Sequence, residues 1–291
     1  MSAAIYSGSD PVGGVDVPDE FKLSVNGAHD VVGFRATLYG SYDLPAGEDG
    51  TATLPFTPWR PGQYTLEVVT YDRAGNLSPA ARHTFTVAKS PPDVPTGMTI
   101  LVNQTPLTLP RPNCARGEDR PWYGPGAAYP TARFVNRDGG PIVARFQFQT
   151  LDGEAVEEKT TVPQYSGAYT SMEMTDKLQD GQIYRWRARG EDTVNEVNGE
   201  WSAWCEFGYD AVGPKQPPAL SVSGESMTLG PDGNEGITGY FYGAPPGYPG
   251  TAIRHVEGRE ATVTLPPDEY VAVFAHDRAG NLSPVATYIR N

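Results

Sequence analysis

The chain has 291 residues, of which 38% are hydrophobic and 11% aromatic, enough to build packed cores, and its formal net charge is −13 at neutral pH. This charge argues against nucleic acid and anionic lipid as partners, because both require a basic protein surface. No apolar run reaches the roughly 18 residues of a membrane helix, so no membrane insertion is expected. Glycine and proline, with 33 and 28 residues, follow no period, and they predict an all-β chain with many turns.

An octapeptide, Asp-Arg-Ala-Gly-Asn-Leu-Ser-Pro, occurs at Asp72–Pro79 and again at Asp277–Pro284. An identity of this length within one chain indicates two copies of one module. Each copy follows a β-rich run, Tyr64–Tyr71 or Tyr270–His276, and precedes another. Each is therefore predicted to be a hairpin turn near the end of its module. The spacing from the leading tyrosine differs by one residue, so either one copy has a bulge or the two tyrosines are not equivalent.

Two proline-rich junctions, Ser90–Pro95 and Gly213–Pro218, each follow a β-rich run. Proline-rich stretches of this length act as semi-rigid spacers. They predict three tandem β-sandwich modules, at residues 1–90, 91–214 and 215–291, since short alternating strands with frequent turns are typical of small sandwiches.

The repeated turn has two interpretations. In an Asx-type turn the aspartate accepts backbone N–H groups and the glycine adopts a positive φ. The alternative is a weak Ca²⁺ site built on the Asp and Asn oxygens, although such a site needs six or more oxygens. The positions concerned are Asp72, Gly75 and Asn76, and Asp277, Gly280 and Asn281.

The middle module contains a strictly alternating strand, Tyr184–Arg189, in which three arginines share one face. Two tryptophans downstream are expected to lie over this row in a cation–π ladder. The alternative is an aromatic platform for glycans. The ladder residues are Arg185, Arg187, Arg189, Trp201 and Trp204. Tyr184 itself follows a turn with the spacing of a tyrosine corner, whose phenol bonds to upstream backbone.

The two cysteines, Cys114 and Cys205, are either free buried thiols or one disulfide closing a long loop. Tyr248, between Gly247 and Pro249, is the candidate for an exposed glycan contact. The four histidines lack metal-ligand spacing, and nucleophile-elbow, P-loop and Rossmann patterns are missing from the sequence. We therefore expect a protein that is not an enzyme and that carries no cofactor.

The octapeptide after a tyrosine-rich strand resembles the bacterial Ig-like modules of large secreted actinobacterial proteins, which often also carry LamG-type or DNRLRE-type domains. The middle region is similar to their fibronectin-III-like module, through Leu178–Tyr184, Tyr184–Arg189 and Trp201–Phe207. The resemblance implies an Ig-like, fibronectin-III-like, Ig-like array. It also implies a Cys114–Cys205 disulfide, because family members pair the cysteine of this last segment with one near the first strand.

The resemblance implies a non-enzymatic extracellular spacer or adhesive element. Its partners would be other surface proteins or cell-surface glycans. The first alternative is a surface protein of an actinobacterial phage (a decoration, fibre or tail-associated protein on the virion exterior), because the sequence starts at Met1 without a signal peptide. The second is an accessory binding region of a polysaccharide-degrading enzyme.

Overall fold

Three separate hydrophobic cores organise the computed structural model, which describes residues 1–25, 27–102, 107–109, 113–126, 128–245, 250 and 252–290. Within these residues the secondary structure is 23 β-strands and one short 3-10 helix, Gly117–Asp119. No helix in the described ranges is long and apolar enough to cross a membrane. The all-β prediction is confirmed.

The N-terminal sandwich packs a five-stranded sheet, in the order β1-β7-β6-β3-β4, against the β2-β5 pair. Its core includes Tyr6, which lies ahead of the strands and whose hydroxyl donates to the Val17 carbonyl at 2.9 Å. Phe21 and Leu23 alternate inward along β2. The strands are β1 Pro11–Val12, β2 Asp19–Ser24, β3 Val31–Thr37, β4 Ser41–Pro45, β5 Thr51–Phe56, β6 Gly62–Asp72 and β7 Ala81–Val87.

The central sandwich packs a three-stranded sheet, β13-β10-β8, against a larger sheet, β12-β11-β14-β16-β9, with β15 paired to β14. Its core centres on Trp186, which stacks on Phe146 at a centroid distance of 6.0 Å. The strands are β8 Thr96–Val102, β9 Trp122–Tyr123, β10 Ala128–Arg133, β11 Val143–Thr150, β12 Ala155–Thr160, β13 Tyr169–Ser171, β14 Ile183–Asp192, β15 Val197–Asn198 and β16 Cys205–Tyr209.

The C-terminal sandwich packs a three-stranded sheet, β17-β18-β21, against a four-stranded sheet, β20-β19-β22-β23. Tyr240 and Tyr242 are buried in its core, and Phe241 between them is buried on the other face of the strand. Strand β19 is therefore covered on both faces. The strands are β17 Ala219–Ser223, β18 Ser226–Gly230, β19 Ile237–Gly243, β20 Arg254–Glu257, β21 Ala261–Thr264, β22 Tyr270–Asp277 and β23 Ala286–Ile289.

Both octapeptides connect antiparallel neighbours, β6 to β7 and β22 to β23, as predicted for hairpin turns. The leading tyrosines are not equivalent: Tyr64 is buried and its hydroxyl donates to the Arg60 carbonyl at 2.6 Å, whereas Tyr270 lies at the surface. The register shift occurs in both copies, in β3 before Gly33 and in β19 before Gly239. The boundaries 1–90, 91–214 and 215–291 stay a prediction.

Candidate functional site

The N-terminal copy of the repeated turn is closed by its own aspartate. Asp72 Oδ1 accepts the N–H groups of Ala74 and Asn76, both at 2.9 Å, and Oδ2 accepts Asn76 Nδ2 at 2.8 Å. Gly75 has φ +85°, which only glycine adopts without strain. These bonds from Asn76 lower the pKa of the Asp72 carboxyl, which is at the surface.

The C-terminal copy repeats this geometry. Asp277 Oδ1 accepts the N–H groups of Ala279 at 2.8 Å and Asn281 at 3.0 Å, Oδ2 accepts Asn281 Nδ2 at 2.9 Å, and Gly280 has φ +79°. Both oxygens of each aspartate thus serve the turn itself, as in an Asx-type turn. Among the described residues no group of three or more His, Cys, Asp or Glu side chains is placed to hold a metal ion.

The surroundings of the two copies differ. Asp277 and Ala279 are only 5% and 2% exposed, while Leu77 of the N-terminal copy is 55% exposed. Burial raises the pKa of the Asp277 carboxyl, against the effect of its hydrogen bonds from Asn281. One sequence therefore forms a covered turn in one place and an open turn in the other.

The covered turn lies at the joint between the central and C-terminal sandwiches. The Arg278 guanidinium carbon lies 3.3 Å from the centroid of the Trp122 ring, and Arg278 Nε lies 3.3 Å from Asp210 Oδ2. Asn281 Nδ2 donates to the Asp210 carbonyl at 2.8 Å. A Cβ added at Gly124 would lie 1.8 Å from Asn281 Oδ1, so this close approach requires glycine.

The chain that links these two sandwiches is fixed by a buried side chain. Asn234 Oδ1 accepts the N–H groups of Lys215 and Gln216 at 2.9 and 3.0 Å, and its Nδ2 donates to the Gln216 carbonyl at 2.9 Å. A cavity of about 840 Å³ opens beside it, between the linker, Asp210 and Arg278. The joint is thus held in two ways: Asn234 binds the linker, and Arg278 and Asn281 bind the central sandwich.

At the joint between the N-terminal and central sandwiches, the contacts seen among the described residues involve the linker and Lys89 just before it. Lys89 Nζ donates to the Asn195 carbonyl at 2.9 Å, and Ser90 N–H donates to Asp138 Oδ2 at 2.9 Å. The open turn is not part of this joint.

A serine closes each sandwich in the same way. Ser78 N–H donates to the Thr70 carbonyl, and its Oγ accepts the Thr70 N–H, both at 2.9 Å. The same two bonds join two further serines to the preceding strand: Ser202 to Ala188 and Ser283 to Ala275. The segment around Trp201 therefore occupies the place in the central sandwich that the octapeptide occupies in the other two. The repeat in the sequence did not indicate this equivalence, because the segment does not share the octapeptide sequence.

The arginine row and the two tryptophans form one alternating stack on the face of β14. The guanidinium-to-centroid distances are 4.5 Å for Arg185 on Trp204, 4.3 Å for Arg187 on Trp204, 4.4 Å for Arg187 on Trp201 and 4.7 Å for Arg189 on Trp201. Two cations at such distances must occupy opposite faces of one ring. Each tryptophan is therefore covered on both faces, whereas a glycan platform needs an open face.

Polar neighbours on β11 complete the stack. Gln149 and Gln147 accept from Arg185 and Arg187 at 3.0 and 2.8 Å. Arg187 has no carboxylate partner among these contacts, and burial together with the neighbouring arginines lowers its pKa. Burial also acts on Glu191, but the hydrogen bonds from Arg145 and Arg189 outweigh it and lower the pKa of that carboxyl.

Cys114 and Cys205 form a disulfide that closes a separation of 91 residues, as the resemblance implied. It lies within the central sandwich, so it does not stiffen either joint. Tyr184 forms a tyrosine corner in which the phenol oxygen accepts the Gln179 N–H at 2.8 Å. Tyr248 lies outside the described residues.

An exposed aromatic pair, absent from the sequence-based candidates, lies on the N-terminal sandwich. Trp59 and Tyr39 are 58% and 44% exposed, with ring centroids 6.0 Å apart. Arg60 covers one face of the Trp59 ring at 4.6 Å. The sequence did not predict this pair because the two residues are far apart in the chain: Tyr39 follows β3 and Trp59 follows β5.

A scan against protein-family models gives no match, and a search of curated proteins gives none either. Among solved structures, the FN1–FN3 domains of chicken CNTN1 align with 100% of this chain and 97% of their own, at 11% identity and a TM-score of 0.45.

Proposed function

We propose that the chain is a non-catalytic extracellular spacer of three β-sandwich modules, the second and third of which are held at a fixed angle. The observation that carries this proposal is the joint, in which Arg278 and Asn281 contact Trp122 and Asp210. A cation on an aromatic ring contributes about 0.5–2 kcal/mol, more when water is excluded. Combined with the contacts of Asn234 to the linker, these bonds oppose rotation about it.

The extracellular setting is supported by the disulfide, since such bonds persist in oxidising compartments. We place the array at a bacterial cell surface or on a phage particle. Quantitative mass spectrometry of purified particles and of wall fractions distinguishes the two. Enrichment in particles at constant stoichiometry supports the phage setting, and recovery from the wall alone contradicts it.

The spacer proposal is tested by measuring the width of an intermodule distance. Spin labels introduced through unnatural amino acids at two exposed positions, Val162 and Ile289, span the joint. We expect one narrow distance distribution in the native chain and a broad one in the double variant Arg278→Ala/Asn281→Ala. The matched control makes the same changes in the open turn, Arg73→Ala/Asn76→Ala. A broad distribution in the native chain, or no change in the double variant, contradicts the proposal.

A second function, adhesion to glycans, is favoured by the exposed pair Trp59 and Tyr39, because one face of an exposed indole is the surface on which sugar rings stack. We expect Trp59→Ala to abolish retention of the chain on insoluble bacterial wall polysaccharide. Tyr165→Ala, at another highly exposed tyrosine, is the control. Equal retention of all three proteins contradicts this function.

A further inference from the structure

The two octapeptides are identical at positions that the turn does not use. The turn itself needs the aspartate, the glycine and the asparagine, and the serine bonds to the preceding strand. The side chains of Arg73, Ala74 and Leu77 serve none of these purposes, and these residues are exposed. Turn geometry therefore does not explain why the same three residue types recur in the C-terminal copy.

The C-terminal copy shows what these residue types do. Arg278 stacks on Trp122 and pairs with Asp210, and Ala279 is buried to 2% exposure. Leu282 is half-buried, and its carbonyl oxygen lies 3.6 Å from the position that a Cβ added at Gly213, in the linker, would occupy. Of the residue types that the turn does not use, the arginine thus contacts the central sandwich directly, while the alanine is buried and the leucine is half-buried beside the linker.

The open copy lies at the end of the N-terminal sandwich that is remote from the central sandwich. The turn precedes β7 and the linker to the central sandwich follows it, so the two lie at opposite ends of this strand. Seven residues of extended chain separate these ends by roughly 23 Å. The open turn therefore faces away from the central sandwich, at the far end of the N-terminal sandwich.

We propose that the open turn, Asp72–Pro79, is a docking surface for the end of another β-sandwich module that presents an aromatic ring beside a carboxylate. Arg73 stacks on the ring and pairs with the carboxylate, as Arg278 does. Asn76 Nδ2 keeps one hydrogen on Asp72 and gives the other to a backbone carbonyl, since Asn281 Nδ2 makes both bonds at once. This proposal goes beyond the spacer function. The covered turn binds the end of the central sandwich through Trp122 and Asp210, and the open turn would bind the end of another module with the same chemistry.

The chain itself supplies a probe that carries such an end. In the full-length variant Arg278→Glu/Asn281→Ala, the carboxylate introduced at position 278 repels Asp210, and the amide that bonds the Asp210 carbonyl is gone. The end of the central sandwich that carries Trp122 and Asp210 is therefore released. Its release is verified by broadening of the Val162-to-Ile289 distance distribution. The variant still has an intact open turn, so it is able to associate head to tail with a second copy.

We expect the sedimentation coefficient of this variant to rise with concentration, while the native chain, in which Trp122 and Asp210 are covered, stays monomeric. Adding Arg73→Glu lowers the association constant at least about tenfold, because it places a carboxylate against a carboxylate. Adding Lys22→Glu, the same charge change at another exposed site, leaves association intact. If the released variant stays monomeric, or if its oligomers persist with Arg73→Glu, the proposal is overturned.

Discussion

Arg278 of the C-terminal sandwich lies over the ring of Trp122 in the central sandwich, with the guanidinium carbon 3.3 Å from the ring centroid. The same arginine pairs with Asp210, so one side chain makes both an aromatic and an ionic contact across the joint. Half of the Arg278 side chain remains in solvent and the ion pair alone contributes little there. Among the contacts across the joint, the stacking contact and the Asn281 bond therefore contribute more than the ion pair.

The close approach at Gly124 predicts that a single methyl group opens the joint. Gly124→Ala would place Cβ 1.8 Å from Asn281 Oδ1, so the asparagine must leave its position. We expect the distance distribution across the joint to broaden while the melting temperature of the central sandwich is unchanged. The control is Gly8→Ala, where a Cβ meets nothing within 4 Å. A narrow distribution in Gly124→Ala would contradict the packing described.

Removal of the disulfide is expected to destabilise only the central sandwich. The chain-entropy model gives about 4–5 kcal/mol for a loop of about 90 residues. Four of the five tryptophans lie in this sandwich, so tryptophan fluorescence during denaturant unfolding reports it directly. Cys114→Ser/Cys205→Ser should shift that transition to lower denaturant concentration. Amide hydrogen exchange in the N-terminal and C-terminal sandwiches should be unaltered. An unchanged tryptophan transition would show that the bond adds no stability.

The alternating stack on β14 predicts energetic coupling between Arg187 and Trp204, whose guanidinium carbon and ring centroid are 4.3 Å apart. A double-mutant cycle with Arg187→Met and Trp204→Leu should give a coupling free energy of about 0.5–2 kcal/mol. Arg187→Lys should recover only part of it, because lysine has no planar guanidinium to lie on the rings. Full recovery by lysine, or additive single effects, would argue against stacking.

Glu157 is expected to stabilise the central sandwich against unfolding at neutral pH, and this stabilisation is lost in acid. Hydrogen bonding from Lys177 lowers the pKa of Glu157 from 4.5 to about 2. Because the folded pKa is below the unfolded one, the stabilisation is complete above about pH 4.5 and is lost as pH falls through about 2. Glu157→Gln should therefore reduce the slope of unfolding free energy against pH in this window. Glu154→Gln, at an exposed carboxylate, is the control; equal slopes in both would contradict the assignment.

The sequence predicted well the features that depend on neighbouring residues. The hairpin turns follow from Asp, Gly and Asn at fixed offsets, and the inward face of β14 follows from the alternation of Tyr184, Trp186 and Ala188. These are local rules of backbone and strand geometry. The disulfide came from the resemblance, since spacing alone does not pair cysteines.

The joint was beyond prediction because its parts lie far apart in the chain. Trp122 is 156 residues before Arg278, and Trp122 reads in sequence as one more aromatic residue near a turn. The His255–His276 pair, with Nε2 atoms 2.9 Å apart, was missed for the same reason, since β20 and β22 meet only across β19. Such contacts depend on tertiary packing. The repeat in the sequence marks where Arg278 lies in its module, but it does not indicate which residues Arg278 contacts.

The fixed angle of the second joint is tested most directly by 15N relaxation of the intact native chain, analysed separately for the central and C-terminal sandwiches. If the Arg278 and Asn281 contacts hold in solution, both sandwiches share one rotational diffusion tensor. The N-terminal sandwich tumbles more freely, because its contacts with the central one among the described residues are confined to the linker and Lys89. Distinct correlation times for the central and C-terminal sandwiches in the native chain would contradict the account.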